Sequence, residues 1–323
     1  GNKTAIKYHD ILYRVEDIRR ELDESGTHDY MDIDLGPIDM VLSTQGFNKE
    51  DKRFVYALLG RMQFPIGTMD NWSIFPYFVG LAGTGKSTLL QLMASLYDQM
   101  DVGIMNNVLQ KQFALDGLHD RIFYLGLDLD ENFQLDQATF QSMVCGEEVS
   151  IIRKFKSPLT VQWKSNGGFG GNKLPSWNDN GGSLYRRLVM IEFLTGVKKV
   201  DPNLPEKCRR YHDKFLTVIS NAYLDLVARF GTMNIKDRMP LRFKLAQERS
   251  MKELNSLSSF ITDNCDIGAN EDGSIFTVSF SEFAVAFKLY CQENNIQPKR
   301  LVYNFYSTAF AQYNATVIDH PSV

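Results

Sequence analysis

Hydrophobic positions recur with two different spacings along this chain, and each spacing predicts a different kind of element. From about residue 71 to residue 230, short apolar runs alternate with helical patterns, which is typical of an α/β fold with a parallel sheet. In residues 1–70 and 231–323, apolar side chains recur every three or four positions, which predicts amphipathic helices. The sequence therefore predicts an α/β domain between an N-terminal helical domain and a small, mainly helical C-terminal domain.

Individual elements can be placed within these regions. Asn48 fits the N-cap of a helix that ends at Gly60. Short strands are predicted at residues 102–105 and 121–128. Further helices are predicted at residues 135–144, 256–261 and 280–290. The first region also carries a regular apolar stripe, formed by Tyr8, Ile11, Leu12, Val15, Ile18 and Leu22.

Two of the predicted strands contain residues that strands disfavour. Pro76 falls in the apolar run 74–79, and proline is awkward in a central strand, so we expect it to be the first strand residue. The run from Asn166 to Gly171 is mostly glycine, so we expect a strand there to be short or bent.

The strongest chemical signal is the stretch Gly80-Leu-Ala-Gly-Thr-Gly-Lys-Ser-Thr88, which lies between a predicted strand and a predicted helix. It fits the phosphate-loop pattern, in which backbone N–H groups and the helix N-terminus hold phosphate oxygens. Lys86 would reach the β- and γ-phosphates and Ser87 would bind Mg²⁺. The alternative is a glycine-rich turn with a chance lysine. The predicted nucleotide-binding residues are Gly80, Ala82, Gly83, Thr84, Gly85, Lys86, Ser87 and Thr88.

Acidic residues follow the predicted strand at 121–128. Asp128, Asp130 and Glu131 come at its carboxyl end, where open α/β sheets bind their ligands. One carboxylate would hold Mg²⁺ and another would orient the attacking water. The spacing does not assign these roles, and an ordinary strand that runs into an acidic surface turn has the same pattern.

Three further groups suggest contacts with phosphates. Arg153, Lys154, Phe155 and Lys156 lie between two β-prone runs, which predicts a basic hairpin that binds nucleic acid; the alternative is a solvated loop. A polar amide at a strand end, Asn166 or Asn172, would sense the γ-phosphate. Arg186 and Arg187 would supply transition-state charge, or would simply pair with local acids.

Composition narrows the class of protein. The 323 residues carry a net charge of −4, so any nucleic acid would have to meet a local basic patch rather than a global field. The four cysteines form no CxxC pair, which favours reduced thiols in an intracellular compartment and gives no zinc site. We expect a soluble protein without a membrane span. Because the chain begins with Gly1 rather than Met, we expect it to be a fragment of a larger protein.

A set of short motifs resembles the superfamily 3 helicases of the AAA+ class. The motifs are Gln45-Gly-Phe47, Leu59-Gly-Arg61, Gly80–Thr88, Asn132–Gln137, Gly146-Glu-Glu148, Asn172–Pro175 and Gly182–Arg187. They occur in the family's order and are most similar to the helicase part of primase–helicases from large DNA viruses of the poxvirus type and from phages. The resemblance implies an AAA+ ATPase that forms a hexameric ring, binds ATP between subunits and translocates on single-stranded DNA at replication forks. It also implies an attached primase domain and a location in the host cytoplasm at viral replication sites.

The resemblance also suggests roles for individual residues. Lys86 and Ser87 match the Walker A pair, and Asp128 matches the Walker B acid, with Asp130 and Glu131 as neighbours that could share its work. Residues 153–156 match the pore hairpin that contacts DNA, and Asn172 fits the sensor better than Asn166. Arg186 or Arg187 would be the finger that reaches the γ-phosphate of a neighbouring subunit. The C-terminal region resembles the winged-helix-like domain of viral relatives.

Two departures from the family pattern affect this assignment. The acidic cluster lacks a plain Asp-Glu or Glu-Glu pair in the usual register, which leaves the catalytic base open. The glycine run before Asn172 is a poor sensor strand.

Two other functions use the same phosphate loop: a small-molecule or nucleotide kinase, and a ring-forming DNA loader or scaffold that binds ATP as a switch without unwinding.

Overall fold

The computed structural model of this chain describes residues 29–105, 114–130, 133, 135–175, 184–254, 256–268, 276–294 and 310. Its helices are α1 (Pro37–Thr44), α2 (Lys49–Arg61), α3 (Lys86–Ala94), α4 (Gln137–Cys145), α5 (Leu204–Arg209), α6 (His212–Phe230), α7 (Leu241–Leu254), α8 (Ser256–Asn264) and α9 (Phe280–Glu293). Its strands are β1 (Phe75–Gly80), β2 (Val102–Met105), β3 (Phe123–Leu129), β4 (Glu148–Ile151), β5 (Leu159–Gln162), β6 (Asn166–Gly171) and β7 (Leu188–Phe193).

Five of the strands form one parallel sheet in the order β2-β3-β6-β1-β7. The prediction of an α/β fold with a parallel sheet is therefore confirmed. Because every strand of a parallel sheet points the same way, the loops after β1, β3 and β6 leave the sheet at one edge. The remaining strands, β4 and β5, pair antiparallel as the predicted hairpin.

The glycine-rich strand β6 is not short, so the expectation of a short strand is wrong. It has six residues, all buried, and lies between β3 and β1. Neighbouring side chains occupy the space where its own would lie: a Cβ atom at Gly167 would come within 2.6 Å of the Tyr124 ring, and one at Gly168 within 2.4 Å of the Met62 methyl group. Glycine is needed here because large neighbours pack directly on the backbone.

Pro76 is the second residue of β1 and not the first, which corrects the expected position. The ladder between β1 and β6 begins only at Tyr77, so Pro76 pairs with Val189 of β7 alone. A proline is tolerated here because this end of β1 pairs with only one neighbouring strand, so the missing N–H group does not interrupt pairing on both sides.

Helix α2 is capped by Asn48 as predicted, with a reciprocal hydrogen bond from the Asn48 N–H group to Asp51. The prediction that Gly60 ends this helix is wrong, because α2 continues to Arg61. A Cβ atom at Gly60 would lie 2.0 Å from the carbonyl oxygen of Ile219 in α6. Gly60 therefore permits close packing of two helices and does not act as a helix terminator.

Arg61 forms the centre of a buried polar network beside the sheet. Its guanidinium group donates to both carboxylate oxygens of Asp70 at 2.8 and 3.0 Å, and also to Asn166 Oδ1 at 3.1 Å. The Tyr223 hydroxyl donates to Asp70 at 2.6 Å, and burial, together with the Asp70 charge, raises the pKa of Tyr223. The network ties α2, β6 and α6 together.

Removal of Asp70 from its buried ion pair with Arg61 should lower the free energy of unfolding far more than removal of one member of an exposed ion pair. We expect Asp70→Ala to lower the free energy of unfolding by about 3–5 kcal/mol, because the Arg61 charge would stay buried without its partner. Urea unfolding of the purified protein measures this. Glu206→Ala, which breaks an exposed pair with Arg209, is the control and should change stability by less than about 1 kcal/mol. Equal effects for the two variants would contradict the assignment.

By internal contacts, the described residues form two compact units. The first contains the sheet, helices α1 to α6 and the chain as far as Ala246, and one hydrophobic cluster joins α1, α2, α3, α6 and the sheet. The second contains residues 184–186 and the described residues from Gln247 onward, with α8 and α9 packed through Phe260, Phe283 and Phe287. The predicted boundaries at residues 70 and 230, the AAA+ class and the winged-helix likeness stay predictions.

Helices α8 and α9 begin at or close to their predicted starts, and α9 opens with a capping box at Ser279. The apolar stripe at residues 8–22 and Glu131 lie outside the described residues. Among the residues that the structure describes, no helix combines the length and the apolarity that a membrane span requires.

Candidate functional site

The predicted phosphate loop connects β1 to α3, as the sequence pattern requires. Gly85 stands at the N-cap of α3 with a φ of 100°, a left-handed conformation that favours glycine. A Cβ atom at this position would also come within 2.6 Å of a Val41 methyl group. The glycine therefore allows the tight turn and the close approach of α1 behind the loop.

Lys86 is the first residue of α3, and its side chain folds back under the loop. The residue is 5% exposed, and Nζ donates to the carbonyl oxygens of Gly80, at 2.8 Å, and Leu81. Burial lowers the pKa of Lys86, and the nearby charge of Asp128 opposes that change. The ammonium group therefore lies in a poorly hydrated site, where a phosphate group would be a strong partner.

A hydrogen bond joins Ser87 in the loop to the backbone of β3 beside Asp128. The Ser87 hydroxyl donates to the carbonyl oxygen of Leu127 at 3.2 Å, next to Asp128 in the chain. The register between β3 and β6 shifts between Gly126 and Leu129, so β3 carries a bulge at this point. Asp128 lies within this bulge and lines the cavity, whereas Asp130 lies beyond the end of the strand; both residues are exposed.

Asn172 follows β6 directly, and its Oδ1 atom lies 3.5 Å from Lys86 Nζ. The turn is held from β1, because the buried Tyr77 hydroxyl donates to the carbonyl oxygen of Lys173 at 3.0 Å. Asn166, the other candidate, lies at the opposite end of β6, buried in the Arg61 network. Of the two amides, Asn172 is the one placed beside Lys86.

These groups border a cavity of about 500 Å³. Phosphate-loop residues from Ala82 to Thr88, together with Asp128 and Asn172, form one side of it. The other walls consist of Met40, Val41, Thr44, Val197, Lys199, Val200, Asp201, Pro202, Leu204 and Pro205. No sequence motif marks this second set, because its residues come together only through the packing of α1 and α5 around the loop.

The basic residues 153–156 form the tip of the β4–β5 hairpin, within the predicted DNA-binding segment. Arg153 closes the turn, with Nε and Nη2 donating to the Ser157 carbonyl oxygen at 3.0 and 2.9 Å. Phe155 is 95% exposed and has a φ of 56°. Lys154 Nζ lies 5.3 Å from the centre of the Phe155 ring, and Lys156 is also exposed.

The two candidate arginines differ in their surroundings. Arg187, the residue just before β7, is half-buried, and its Nε donates to Cys145 Sγ at 3.3 Å. Arg186 belongs to the second compact unit and is exposed. Its carbonyl oxygen accepts from Gln247 Nε2 at 3.0 Å. Of the two side chains, that of Arg186 is the more accessible.

One protein family and several solved structures are similar to parts of this chain. A family of unknown function (DUF5906) matches residues 78–187, from β1 to Arg187. No curated protein matches the sequence. Among solved structures, the chain is similar to an apo structure of the NrS-1 C terminal region, with a TM-score of 0.50, 14% identity and coverage of 87% of this chain and 64% of that one. The chain thus spans less than two thirds of that protein's length, and the two share a fold.

Two further solved structures show weaker similarity. A second apo structure of the NrS-1 C terminal region gives a TM-score of 0.47 with 13% identity, and covers 88% of this chain and 73% of that one. An inhibitor-bound structure of JCV helicase gives a TM-score of 0.34 with 15% identity, and covers 78% of this chain and 71% of that one.

Proposed function

We propose that this chain is the motor of an ATP-driven DNA helicase. One observation carries the proposal: polar side chains from three separate stretches of the sequence meet at the carboxyl ends of three adjacent strands, around one cavity. They are Lys86, Ser87, Asp128 and Asn172. Ligands of parallel α/β sheets bind at this edge, and the cavity volume lies within the usual range for a small-molecule site.

The site suits a nucleoside triphosphate with Mg²⁺. Lys86 would exchange its carbonyl partners for β- and γ-phosphate oxygens, and the loop N–H groups would hold the rest of the phosphates. The Ser87 hydroxyl and the Asp128 carboxylate offer the hard oxygen ligands that Mg²⁺ prefers, and the bound ion would neutralise developing phosphate charge. Met40 and Val200 would cover the base and ribose.

Hydrolysis requires a positioned water and a second source of positive charge. Asn172, 3.5 Å from Lys86 Nζ, would orient the water near the γ-phosphate, with Asp130 or Glu131 as the base. Arg186 would reach the site of a neighbouring subunit, because its side chain is exposed. This arrangement makes the active unit an assembly, and we propose a homo-hexameric ring linked to a primase domain in the full-length protein.

The β4–β5 hairpin would contact single-stranded DNA at the replication fork. Lys154 and Lys156 offer cations to the phosphates, and the exposed Phe155 offers a ring on which a base can stack. Phe155 combines a positive φ with a ring that is 95% exposed, and both are unfavourable for a bulky apolar residue, which favours a functional role for this tip.

The proposal is tested by ATPase rate and native mass measured together. We expect ATPase activity to rise when single-stranded oligonucleotide is added, and the mass of a six-copy ring to appear with ATP and DNA. A stable monomer that hydrolyses ATP at full rate and ignores DNA would contradict the proposal.

The double variant Lys154→Ala/Lys156→Ala should weaken DNA binding without changing nucleotide affinity. Two fewer phosphate contacts should reduce the slope of log K against log salt by about 1.4 for single-stranded DNA. Titration of a labelled oligonucleotide at several salt concentrations measures the slope. Lys164→Ala, on the chain just after β5, is the matched control. An unchanged slope in the double variant would remove the hairpin from the DNA path.

A further inference from the structure

The chain that leaves β7 crosses over the phosphate loop. The Leu81 N–H group donates to the Phe193 carbonyl oxygen at 3.0 Å, which joins the loop to the end of β7. Beyond that point, a Cβ atom added at Gly83 would lie 3.7 Å from a Val200 methyl group. We call residues 194–201 the strap. Three strap residues besides Asp201, namely Val197, Lys199 and Val200, line the cavity.

Gln45 holds the first part of the strap through two hydrogen bonds. Its Nε2 atom donates to the Thr195 carbonyl oxygen at 2.9 Å, and its Oε1 atom accepts from the Thr195 N–H group at 2.9 Å. The residue is 3% exposed. A primary amide offers both a donor and an acceptor. The Gln45 side chain therefore supplies the two hydrogen bonds that a neighbouring strand would otherwise give to the Thr195 backbone.

The backbone that carries Gln45 is itself firmly held. Arg242 donates to the carbonyl oxygens of Gln45, at 2.7 Å, and Gly46, at 2.8 Å. Its guanidinium carbon lies 4.2 Å from the centre of the Phe47 ring, which in turn packs against Phe193 at the end of β7. The motif Gln45-Gly-Phe47 is therefore a rigid corner between α1 and α2, against the exit of β7.

The other end of the strap is also fixed. The Asp201 carboxylate accepts from Lys207 Nζ at 2.6 Å and from the Asn203 N–H group at 2.9 Å. Between these two anchors the strap is exposed, and Val200 is 64% exposed. The strap is thus a short segment held at both ends, with an accessible middle part that faces the cavity.

We propose that Gln45 is a positioning residue that holds the strap in place over the bound nucleotide. This inference rests on the proposed function, since it assumes that the cavity binds a nucleoside triphosphate. A strap that is already ordered loses little conformational entropy when the nucleotide binds, whereas a mobile segment would lose more, so an ordered strap should give tighter binding. Because Val200 of the strap would cover the base and ribose, which do not react, its contacts would stabilise ground state and transition state alike and would affect affinity while leaving kcat nearly unchanged.

The variant Gln45→Ala tests this directly. We expect the Kd for a fluorescent ATP analogue and the KM for ATP to rise about tenfold, with kcat within about twofold of the wild-type value. Amide hydrogen exchange should become faster in residues 194–201 and stay unchanged in β6. The matched control is Gln63→Ala, whose side chain bonds to Gly60, Tyr97 and Ser220 rather than to the strap, and which should keep the wild-type affinity.

A second variant covers the case in which Gln45→Ala does not fold. Val200→Ser changes an exposed side chain, so the fold is retained, and we expect the Kd to rise severalfold if the strap covers the nucleotide. Unchanged affinity in every folded variant of this pair would overturn the inference. Wild-type protein and Lys86→Ala are measured in parallel: if the wild type binds ATP and Lys86→Ala binds it more weakly, the proposed nucleotide site stands even when the strap inference fails.

Discussion

Lys86→Ala should lower the ATPase rate by about 10²–10³-fold, because it removes the ammonium group that would stabilise charge on the transferring phosphate. The loss should appear in kcat measured at saturating ATP. The fold should survive: the ammonium group is buried with a lowered pKa, so its removal relieves a desolvation cost. Circular dichroism should show unchanged secondary structure.

The same variant separates a ring motor from the two alternative functions. When Lys86→Ala subunits are mixed with wild type in rising proportion, a ring whose subunits act together should lose more activity than the fraction of variant added. A kinase with independent sites should lose activity in direct proportion. A loader that uses ATP only as a switch should show slow hydrolysis from the start, without strand separation. Lys164→Ala, an exposed lysine, is the control for nonspecific effects of charge removal.

Arg186→Ala should lower kcat by about 10³-fold with little change in KM, because an arginine finger acts on transition-state charge and not on ground-state binding. Arg186→Lys should restore little, since a compact ammonium group does not reproduce the planar guanidinium. Arg209→Ala, which removes an exposed arginine paired with Glu206, should keep wild-type activity. An Arg186→Ala enzyme with wild-type kcat would remove Arg186 from the site.

A mixture of two inactive variants shows whether the arginine acts between subunits. In a mixed ring, an Arg186→Ala subunit still has Lys86, and a Lys86→Ala neighbour still has Arg186, so about a quarter of the interfaces contain both groups. Equal mixing should therefore recover measurable ATPase activity from two nearly inactive preparations. If native mass measurement shows mixed rings but no activity returns, the arginine does not complete the site of a neighbour.

The elements around the phosphate loop were predictable because local sequence decides them. The pattern of an apolar run, glycines and then helical spacing defines β1, the loop and α3 without long-range contacts. The hairpin was predictable for the same reason, since two β-prone runs flank a polar tip. Strand β2 was found at its predicted bounds, although it is only four residues long.

The prediction failed where glycine has a packing role. Intrinsic propensity disfavours a run of glycines in a strand, yet β6 lies in the middle of the sheet because the Tyr124 ring and Met62 fill the space beside its backbone. The sequence likewise predicts that Gly60 ends α2, whereas this glycine lets α2 approach the backbone of α6. In both cases the deciding atoms belong to residues far away in the sequence.

The sequence by itself determined the chemistry offered by this chain: a lysine and a serine on a glycine-rich turn, acids after a strand and a basic hairpin tip. Only the tertiary structure decided which of these groups lie around one cavity, because Asp128 and Asn172 line it, whereas Asn166 lies at the other end of β6. It alone shows that the Gln45 side chain bonds to Thr195, which lies 150 residues away along the chain. Hydrogen bonds over such separations leave no periodic signal in a sequence, since each needs only two suitable groups that folding brings together.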